Sequence, residues 1–447
     1  MIIVIGGGPA GRIGAMRLAE GGSEVRLIER RKIGGQCLHD RCMMVCALND
    51  VARLLDCARV MRDLGIVDTV PAVSYPTVKR RMREIQEKLG LVLDAETRRA
   101  GVEVVYGAEG RVSGDRVYID DEEVRADAVL AATGSRAAIP DDIPGVDLAG
   151  VYTYQTLHAM GDLPRRMAII GGGVVAAEFA HIFQSFGSEV DIVTRRGLLP
   201  LLDAKMRSAV MRHDLAGVSI HEETAVASIE GGARVRSVLL GSGEEIEADA
   251  VLLATGLVPR SESLQGLSKR PDGAVIVDRH MRTSVARIYA AGDVIGPPYL
   301  TPAARREGVV AAENILGHPT VMDYAGIPQT MNLRYDYAIA TIGTDDGSVS
   351  LSAPAPAGPG SFWDVARGWS GVAQIRVNPE TGRLVSAAAG VPGAPAIISY
   401  IGYLMKRGVT VSDFEDLVEV HPSTDGIYGL ARYAAGLLRK KKSEPPG

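Results

Sequence analysis

Residues 1–11, MIIVIGGGPAG, decide the fold class of this chain. The apolar run at 2–5 is typical of a buried strand, and the glycine-rich turn after it leads into an Ala/Leu-rich helical stretch. A second strand-like run follows and ends at Glu29. A strand, a glycine loop, a helix and a strand within about 30 residues form the βαβ fingerprint of dinucleotide binding. The glycines permit a tight turn and a close backbone approach to a pyrophosphate, and the helix N-terminus offers N–H groups to it.

The same pattern occurs again in the middle of the chain. A strand-like run at 166–170 precedes GGGVVA at 171–176, a helical stretch and another run at 189–193. In the first copy, Glu29 lies 18 residues beyond Gly11, where an acidic side chain can accept hydrogen bonds from an adenosine ribose. Two copies, each between a strand and a helix, predict two bound dinucleotides.

The four cysteines, Cys37, Cys42, Cys46 and Cys57, fall within 21 residues. Cys42 opens an Ala/Leu/Met-rich helical run, and a thiol at a helix N-terminus is expected to have a lowered pKa. A second thiol five residues earlier allows a reversible disulfide. Clustered cysteines of this kind are more often catalytic or metal-binding than structural. The pair Cys37 and Cys42 is therefore the candidate redox site.

Two other interpretations of this segment are open. The cysteines are a buried apolar pair, or Cys37, His39, Cys42 and Cys46 hold zinc. Structural zinc usually has ligand pairs two to four residues apart on facing turns, which this spacing does not provide. We therefore expect no metal site.

Composition narrows the function classes. The chain has 447 residues, of which 46% are hydrophobic and 23% charged, as in soluble globular enzymes. The net charge of −5 gives no indication of a nucleic-acid partner or a membrane-surface partner. No apolar stretch approaches the roughly 18 residues of a membrane span, and the N-terminus lacks the basic segment and cleavage site of a signal peptide. We therefore expect a cytoplasmic protein.

Taken in order, these segments resemble the pyridine nucleotide–disulfide oxidoreductase family (class I), in the branch with dihydrolipoamide dehydrogenase, glutathione reductase and mercuric reductase. The resemblance covers essentially the whole chain. It runs through the Gly6 loop, the Cys37 and Cys42 pair, Thr133-Gly134, the Gly171 loop, Thr255-Gly256, Ala290-Ala291-Gly292-Asp293 and His421-Pro422.

The resemblance implies an α/β fold with two Rossmann-like dinucleotide-binding domains and a C-terminal α+β dimerisation domain. The FAD-binding domain is then discontinuous, with parts at 1–148 and 271–322. The NAD(P)-binding domain spans 149–270, and the dimerisation domain spans 323–447. Helical patterns are predicted at 301–316, 394–407 and 428–438, and the Pro/Ala/Gly-rich stretch 353–360 is predicted to be a loop.

The resemblance also implies the role of each group. Cys37 is the interchange thiol that attacks the substrate, Cys42 is the thiol that faces the flavin, and Asp293 holds the ribityl–pyrophosphate region of FAD. Hydride passes from the nicotinamide to the flavin, and two electrons then pass to the Cys37–Cys42 disulfide. His421 of the partner subunit acts as the acid–base for Cys37, since an ordinary histidine pKa of about 6.5 suits a proton shuttle. The active site is thus shared between the chains of a homodimer, and the substrate is a small-molecule or protein disulfide.

The candidate catalytic residues are Cys37, Cys42, His421, Glu178 and Asp425. The candidate residues for binding FAD and NAD(P) are Gly6, Gly8, Pro9, Ala10, Gly11, Glu29, Gly35, Gln36, Ala108, Thr133, Gly134, Asp293, Gly171, Gly173, Ala176, Arg195, Arg196 and Gly256.

The sequence departs from the family at three places. The family usually carries Lys at the position of Cys46, and that Lys pairs beside the flavin with the acid that matches Glu178. Cys46 is either a third redox thiol or a small apolar replacement. The family's Glu five residues beyond the His is Gly426 here; either Asp425 replaces it after a small backbone shift, or His421 is a weaker base. Arg41, in a bulkier and more charged loop between the cysteines, either meets an anionic substrate or is solvated.

The end of the second nucleotide unit indicates which nicotinamide cofactor is used. NAD-specific enzymes place an acid there for the ribose 2′-hydroxyl, whereas this chain has Thr194-Arg195-Arg196. Paired guanidiniums bind a 2′-phosphate, and an acid repels it. We expect NADPH in preference to NADH, and therefore the reductase direction. Two solvated loop arginines are the alternative.

These observations predict an FAD-dependent enzyme that exchanges electrons between NAD(P)H and a disulfide or dithiol substrate. A second hypothesis is a flavoprotein reductase or sensor of metal ions, sulfur species or oxidants, which Cys46 and the missing Lys suggest. A third hypothesis is a non-catalytic FAD-binding partner of a complex, which rests only on the loss of the usual Glu beside His421.

Overall fold

The computed structural model describes residues 1–343, 347–352, 371–420 and 425–443 of the chain. In these ranges the helices are α1 (Pro9–Glu20), α2 (Gly35–His39), α3 (Cys42–Asp63), α4 (Tyr75–Arg99), α5 (Val174–Phe186), α6 (Ala204–Ala209), α7 (Thr301–Ile315), α8 (Ala394–Lys406) and α9 (Gly426–Ser443). The strands are β1 (Ile2–Ile5), β2 (Val25–Glu29), β3 (Val102–Tyr106), β4 (Gly110–Ser113), β5 (Arg116–Ile119), β6 (Glu122–Val124), β7 (Ala128–Ala131), β8 (Ser135–Ala137), β9 (Val151–Thr153), β10 (Arg166–Ile170), β11 (Glu189–Val193), β12 (Val218–His221), β13 (Val226–Gly231), β14 (Val235–Leu240), β15 (Glu245–Glu247), β16 (Ala250–Leu253), β17 (Leu257–Pro259), β18 (Leu264–Gln265), β19 (Ile288–Ala290), β20 (Gln329–Asn332), β21 (Asp336–Thr341), β22 (Val349–Ser352), β23 (Val372–Val377) and β24 (Leu384–Gly390).

The first sheet is parallel, with the strand order β19-β7-β1-β2-β3. β1 and β7 are buried apolar runs, as expected of parallel strands that are covered on both faces. Helix α7 packs so closely on α1 that a Cβ atom added at Gly308 would lie only 2.2 Å from the carbonyl oxygen of Ala10. β19 comes after the strands of the second sheet in the sequence, whereas the other four strands of the first sheet come before them. The first sheet is therefore built from two separate segments of the chain.

The second sheet is also parallel, with the order β12-β11-β10-β16-β9. Helix α5 follows β10 and ends at Phe186, and the next residue, Gly187, has a φ of +103°, the left-handed conformation of a glycine C-cap. Phe179 and Phe183 of α5 are fully buried in one hydrophobic core with Met44 and Leu48 of α3. The helix of the second nucleotide unit therefore packs directly on the helix that begins at Cys42.

The C-terminal sheet is antiparallel, with the order β20-β21-β24-β23-β22. Alternate residues of a strand face opposite sides of a sheet. Accordingly, Ala387 and Ala389 of β24 lie in the core formed with α8 and α9, whereas Ala388 lies in the core formed with α3 and α5. This sheet is therefore covered on both faces and packs against the dithiol helix.

The predicted α/β fold class is confirmed, since two five-stranded parallel sheets precede the α+β C-terminal part. The predicted helices at 301–316 and 394–407 correspond to α7 and α8. The third begins earlier than predicted, because the Asp425 side chain accepts the N–H groups of Ile427 and Tyr428 and so caps α9. The predicted loop 353–360 and His421 lie outside the described residues. None of the described helices is both long and apolar enough to cross a lipid bilayer.

Candidate active site

A cleft of about 1140 Å³ runs from the first glycine loop past the cysteine pair to the C-terminal sheet. The predicted site residues that line it are Gly6, Gly8, Pro9, Ala10, Glu29, Gly35, Gln36, Cys37, Cys42, Ala108, Thr133, Gly134, Gly173, Glu178 and Asp293. The predicted residues outside its lining are Gly11, Gly171, Ala176, Arg195, Arg196, Gly256 and Asp425.

The first glycine loop is shaped by close backbone contacts. Gly6 has a φ of +101°, and a Cβ there would lie 2.3 Å from the carbonyl oxygen of Ala132. A Cβ at Gly11 would lie 2.0 Å from the carbonyl oxygen of Gly6, so Gly11 packs the helix onto the loop and does not line the cleft. The Cα of Gly8 faces open space. The loop is therefore packed tightly at Gly6 and Gly11 and open at Gly8, so that a pyrophosphate can approach its backbone.

Glu29 lies at the end of β2 and is buried. Its Oε2 accepts the N–H of Gly7 at 2.7 Å, and its Oε1 accepts the N–H of Arg31 at 2.7 Å. A carboxylate has about four lone-pair sites, so acceptor capacity remains for a hydroxyl group in the cleft. This arrangement fits the role that the sequence predicts for Glu29.

Asp293 is oriented by Ser135, a residue that the sequence analysis missed. Ser135 donates a hydrogen bond to Oδ2 of Asp293 at 2.7 Å. The Gln36 side chain donates to the Ser135 carbonyl and accepts from the Tyr154 hydroxyl. The position of Ser135, directly after Thr133-Gly134, was the available signal. With the open loop at Gly8 and the acceptor at Glu29, these polar groups fit a flavin dinucleotide along the cleft.

The two candidate redox sulfurs meet at the hydroxyl group of Thr301. Cys37 lies in α2, Cys42 is the first residue of α3, and Thr301 is the first residue of α7. The Thr301 hydroxyl donates to Cys37 Sγ at 3.5 Å and lies 3.8 Å from Cys42 Sγ. Both cysteines are half-buried. Three helix N-terminal segments thus converge on the dithiol, and Thr301 is a site residue that sequence reasoning did not find.

The ionisation of the dithiol differs from the expectation. Cys42 donates a hydrogen bond to Cys37, which lowers the pKa of Cys37 from 9.0 to about 6. The same hydrogen bond and burial raise the pKa of Cys42. The expectation of a lowered pKa for Cys42 at its helix N-terminus is therefore wrong, because the direct contact between the two thiols outweighs the helix end. Cys37 is the thiolate at neutral pH, and the thiolate is the nucleophile.

Glu178 lies in the second turn of α5 and is buried. Its Oε1 accepts the Asn332 backbone N–H at 2.9 Å and the Asn332 side-chain amide at 3.2 Å. Burial raises the pKa of Glu178 to about 7. Asn332 is a further residue that the sequence analysis missed.

Cys46 lines the cleft near Cys42 and Glu178. Burial of its sulfur and the neighbouring Cys42 and Glu178 raise the pKa of Cys46, so it is a protonated thiol at neutral pH. Within the described residues, no three or more His, Cys, Asp or Glu side chains are grouped to hold a metal ion. A redox role for Cys46 stays a prediction.

The second glycine loop repeats the close contacts of the first. A Cβ at Gly171 would lie 2.2 Å from the carbonyl oxygen of Ala254, and Ala176 is fully buried. Gly256, with a φ of +115°, ends the turn after β16. These three residues shape the loop, whereas Gly173 faces the cleft.

Arg195 and Arg196 follow β11 and are exposed. The turn that carries them packs on the second glycine loop, because a Cβ at Gly172 would lie 2.3 Å from Thr194 Oγ1. The two arginines are therefore beside a nucleotide loop and accessible to a ligand.

Asp425 is partly buried, and its Oδ1 caps α9. Burial raises the pKa of Asp425. Its predicted partner His421 lies outside the described residues, so the pairing of these two side chains stays a prediction.

Comparison with known proteins agrees with this geometry. Residues 1–308 match the family model of pyridine nucleotide-disulphide oxidoreductases. The chain belongs to this family. The dihydrolipoyl dehydrogenase of Bacillus subtilis (strain 168) is 30% identical over 445 residues, which cover 94% of this chain and 95% of the relative. The dihydrolipoyl dehydrogenase of Chlamydia trachomatis serovar D is 28% identical over 447 residues, which cover 95% and 94%.

Solved structures have the same fold. LpdA from Mycobacterium tuberculosis has a TM-score of 0.85 at 24% identity, over 97% of this chain and 99% of that chain. The HOCl-induced flavoprotein disulfide reductase RclA from Escherichia coli has a TM-score of 0.84 at 23% identity, also over 97% and 99%. The family assigned from the sequence is confirmed. The chain is an oxidoreductase of the dihydrolipoyl dehydrogenase-like class, with FAD and a pyridine nucleotide as cofactors.

Proposed function

We propose that the chain reduces a disulfide substrate with electrons from NADPH, through the Cys37–Cys42 pair. The observation that carries this proposal is the contact of both sulfurs with the Thr301 hydroxyl, in a cleft that is also lined by the first glycine loop and by Gly173 of the second. The residues that would hold FAD are the Gly6–Gly11 loop, Glu29 and Asp293. When bound, FAD supplies the relay of two electrons between the nicotinamide and the disulfide.

In the substrate half of the reaction, the Cys37 thiolate attacks one sulfur of the substrate disulfide. A mixed disulfide forms, and the first substrate thiolate leaves. Cys42 then attacks the Cys37 sulfur, which releases the second substrate thiolate and re-forms the Cys37–Cys42 disulfide. His421 of the partner subunit would give a proton to the first leaving thiolate, and the Cys42 thiol would supply the second proton. The substrate gains two electrons and two protons.

Homodimerisation belongs to this proposal. Apolar side chains are exposed in the C-terminal part, with Tyr400 and Tyr403 of α8 exposed by 74% and 62%, and Val418 and Val420 by 91% and 79%. A partner chain packed on this part would remove such apolar side chains from water. A second copy of the chain is the proposed occupant, because His421 follows Val420 directly and the proposed chemistry needs a histidine at Cys37.

The domain organisation is proposed on the same basis. Every strand of the first sheet falls within 1–148 or 271–322, and every strand of the second sheet falls within 149–270. The antiparallel sheet with α8 and α9 falls within 323–447. Each part has a core that consists wholly or mainly of its own residues, which supports separate FAD-binding, NAD(P)-binding and dimerisation domains, and a further core around α3 and α5 joins the three parts.

The proposed function is tested by anaerobic titration with NADPH while the visible spectrum is recorded. We expect a long-wavelength absorption band, from a thiolate in contact with the flavin, to appear after two electrons per site. Cys42→Ser should bleach the flavin without producing the band, because without Cys42 there is no Cys37–Cys42 disulfide to take up the two electrons. Bleaching without the band in the wild-type protein would show that the cysteine pair is not coupled to the flavin, and the proposal would then fail.

The preference for NADPH is proposed from Arg195 and Arg196. Replacing both by alanine should raise the KM for NADPH by about tenfold or more for each guanidinium, because a charge-assisted hydrogen bond contributes about 1.5–3 kcal/mol and 1.4 kcal/mol is tenfold. The KM for NADH should change little. Exposed Arg234, which lies outside the cleft lining, serves as the matched control. Equal changes for both nucleotides would contradict a 2′-phosphate site.

A further inference from the structure

Glu178 connects two parts of the site, the second glycine loop and the cysteine-bearing helix α3. It lies on α5 five residues after Gly173, and it lines the same cleft as Cys42 and Cys46 of α3. A charge on this carboxyl therefore acts on the nucleotide side and on the dithiol side.

The carboxyl is held by one residue. Both hydrogen bonds to Oε1 come from Asn332, at the end of β20. The next residue, Leu333, is fixed in turn by α3, because its carbonyl accepts from Asn49 Nδ2 at 3.1 Å and from Arg53 Nε at 2.6 Å. The helix that carries Cys42 thus also anchors the support of Glu178.

The charged and titratable groups around Glu178 give it no cationic partner in the described part of the chain. Arg41, before α3, acts on it electrostatically without forming an ion pair, and Cys42 and Cys46 are the thiols that face it. One turn further along α5, burial lowers the pKa of His181 to about 4, so this residue is neutral. Burial without a paired cation favours the protonated form of the Glu178 carboxyl and raises its pKa, whereas the amide donors of Asn332 stabilise the carboxylate and partly oppose this.

We propose that Asn332 is a positioning residue for the electron transfer from the reduced pyridine nucleotide to the dithiol, because its two N–H donors hold the buried Glu178 carboxyl in the cleft beside the cysteines. Reduction of the Cys37–Cys42 disulfide adds two electrons and one proton, and it leaves one thiolate and one thiol. A protonated Glu178 is uncharged and does not repel the new thiolate, whereas an ionised Glu178 repels it. This role rests on the proposed function, but the state of Glu178 can be measured separately.

The first test is the pH dependence of thermal unfolding of the flavoprotein. Folded protein holds the Glu178 proton up to about pH 7, whereas the unfolded chain releases it near 4.5. The folded state therefore binds more protons in this window, and its stability falls as pH rises from about 4.5 to 7 and is level above it. Glu178→Gln has no such proton, so the difference in Tm between Glu178→Gln and wild type should grow over this window and then level off.

Substitutions at two neighbours of Glu178 should change the upper end of this window, which is the pH at which the Tm difference levels off, in opposite directions. Cys46→Lys places an ammonium group on the cleft wall and should lower it by about one to three pH units. Asn332→Ala removes one donor to the carboxylate and should raise it above 7. Cys46→Ser, which is small and neutral, is the matched control and should leave it unchanged. The inference would be overturned if the Tm difference between Glu178→Gln and wild type levelled off near pH 4.5. It would also be overturned if neither Asn332→Ala nor Cys46→Lys moved the pH at which the difference levels off.

The second test is the rate at which NADPH reduces the enzyme, measured by stopped flow across the same pH range. The wild-type rate should fall through a midpoint near pH 7, and Glu178→Gln should show no such midpoint. Identical profiles would overturn the positioning role and leave the disulfide reductase standing. Failure of NADPH to reduce the enzyme at any pH would instead overturn the proposed function, and the unfolding window would still report on Glu178.

Discussion

Replacement of Cys37 by serine should lower turnover of a disulfide such as lipoamide by at least about 10³-fold, because loss of a covalent nucleophile removes the step that all later steps need. Reduction of the bound flavin by NADPH should persist, since Cys37 is not part of the nucleotide loops. Steady-state assays with lipoamide and anaerobic stopped-flow spectra measure the two halves separately.

Two further variants make this result specific. Cys57→Ser, on the same helix α3 but outside the cleft lining, is the matched control and should retain wild-type turnover. If Cys37→Ser keeps activity that the double variant Cys37→Ser/Cys46→Ser loses, Cys46 is the attacking thiol. Full disulfide activity in both Cys37→Ser and Cys37→Ser/Cys46→Ser would show that neither of these two cysteines carries the reaction.

The parts of the site that lie on local patterns could be predicted from the sequence. A glycine loop between a strand and a helix fixes its own geometry, so Gly6, Gly8 and Glu29 were found from spacing alone. The same local rule includes Gly11 and Gly171, which the structure assigns to close packing behind the loops.

The groups that tune the chemistry could not be found in this way. Thr301 meets Cys37 across 264 positions of the sequence, and Asn332 meets Glu178 across 154. No periodicity relates such pairs, because tertiary packing alone brings their helices and strands together. The pKa expectation for Cys42 was wrong for the same reason: the helix end is visible in the sequence, whereas the competing contact with Cys37 depends on the folded chain.

The shared active site leads to a second large effect, which mixed dimers can show. Homodimers of His421→Ala should lose about 10²–10⁴-fold of their disulfide turnover, the usual contribution of a general acid–base. Homodimers of Cys37→Ser should be inactive. In a mixed dimer, the His421→Ala subunit supplies Cys37 and the Cys37→Ser subunit supplies His421. One of the two sites is then complete, so purified mixed dimers should recover about half of the wild-type turnover in a two-fold symmetric arrangement.

Two different affinity tags on co-expressed subunits allow the mixed dimers to be isolated, and subunits mixed after separate purification control for exchange. The outcome distinguishes the possible arrangements of the site, because a site built within one chain is broken in both subunits of the mixed dimer. No recovery in a stable mixed dimer would therefore place the acid–base in the same chain as Cys37, or in a residue other than His421. Recovery would require the two chains to face each other at the cleft, and the exposed apolar side chains of the C-terminal part would then be covered by the partner.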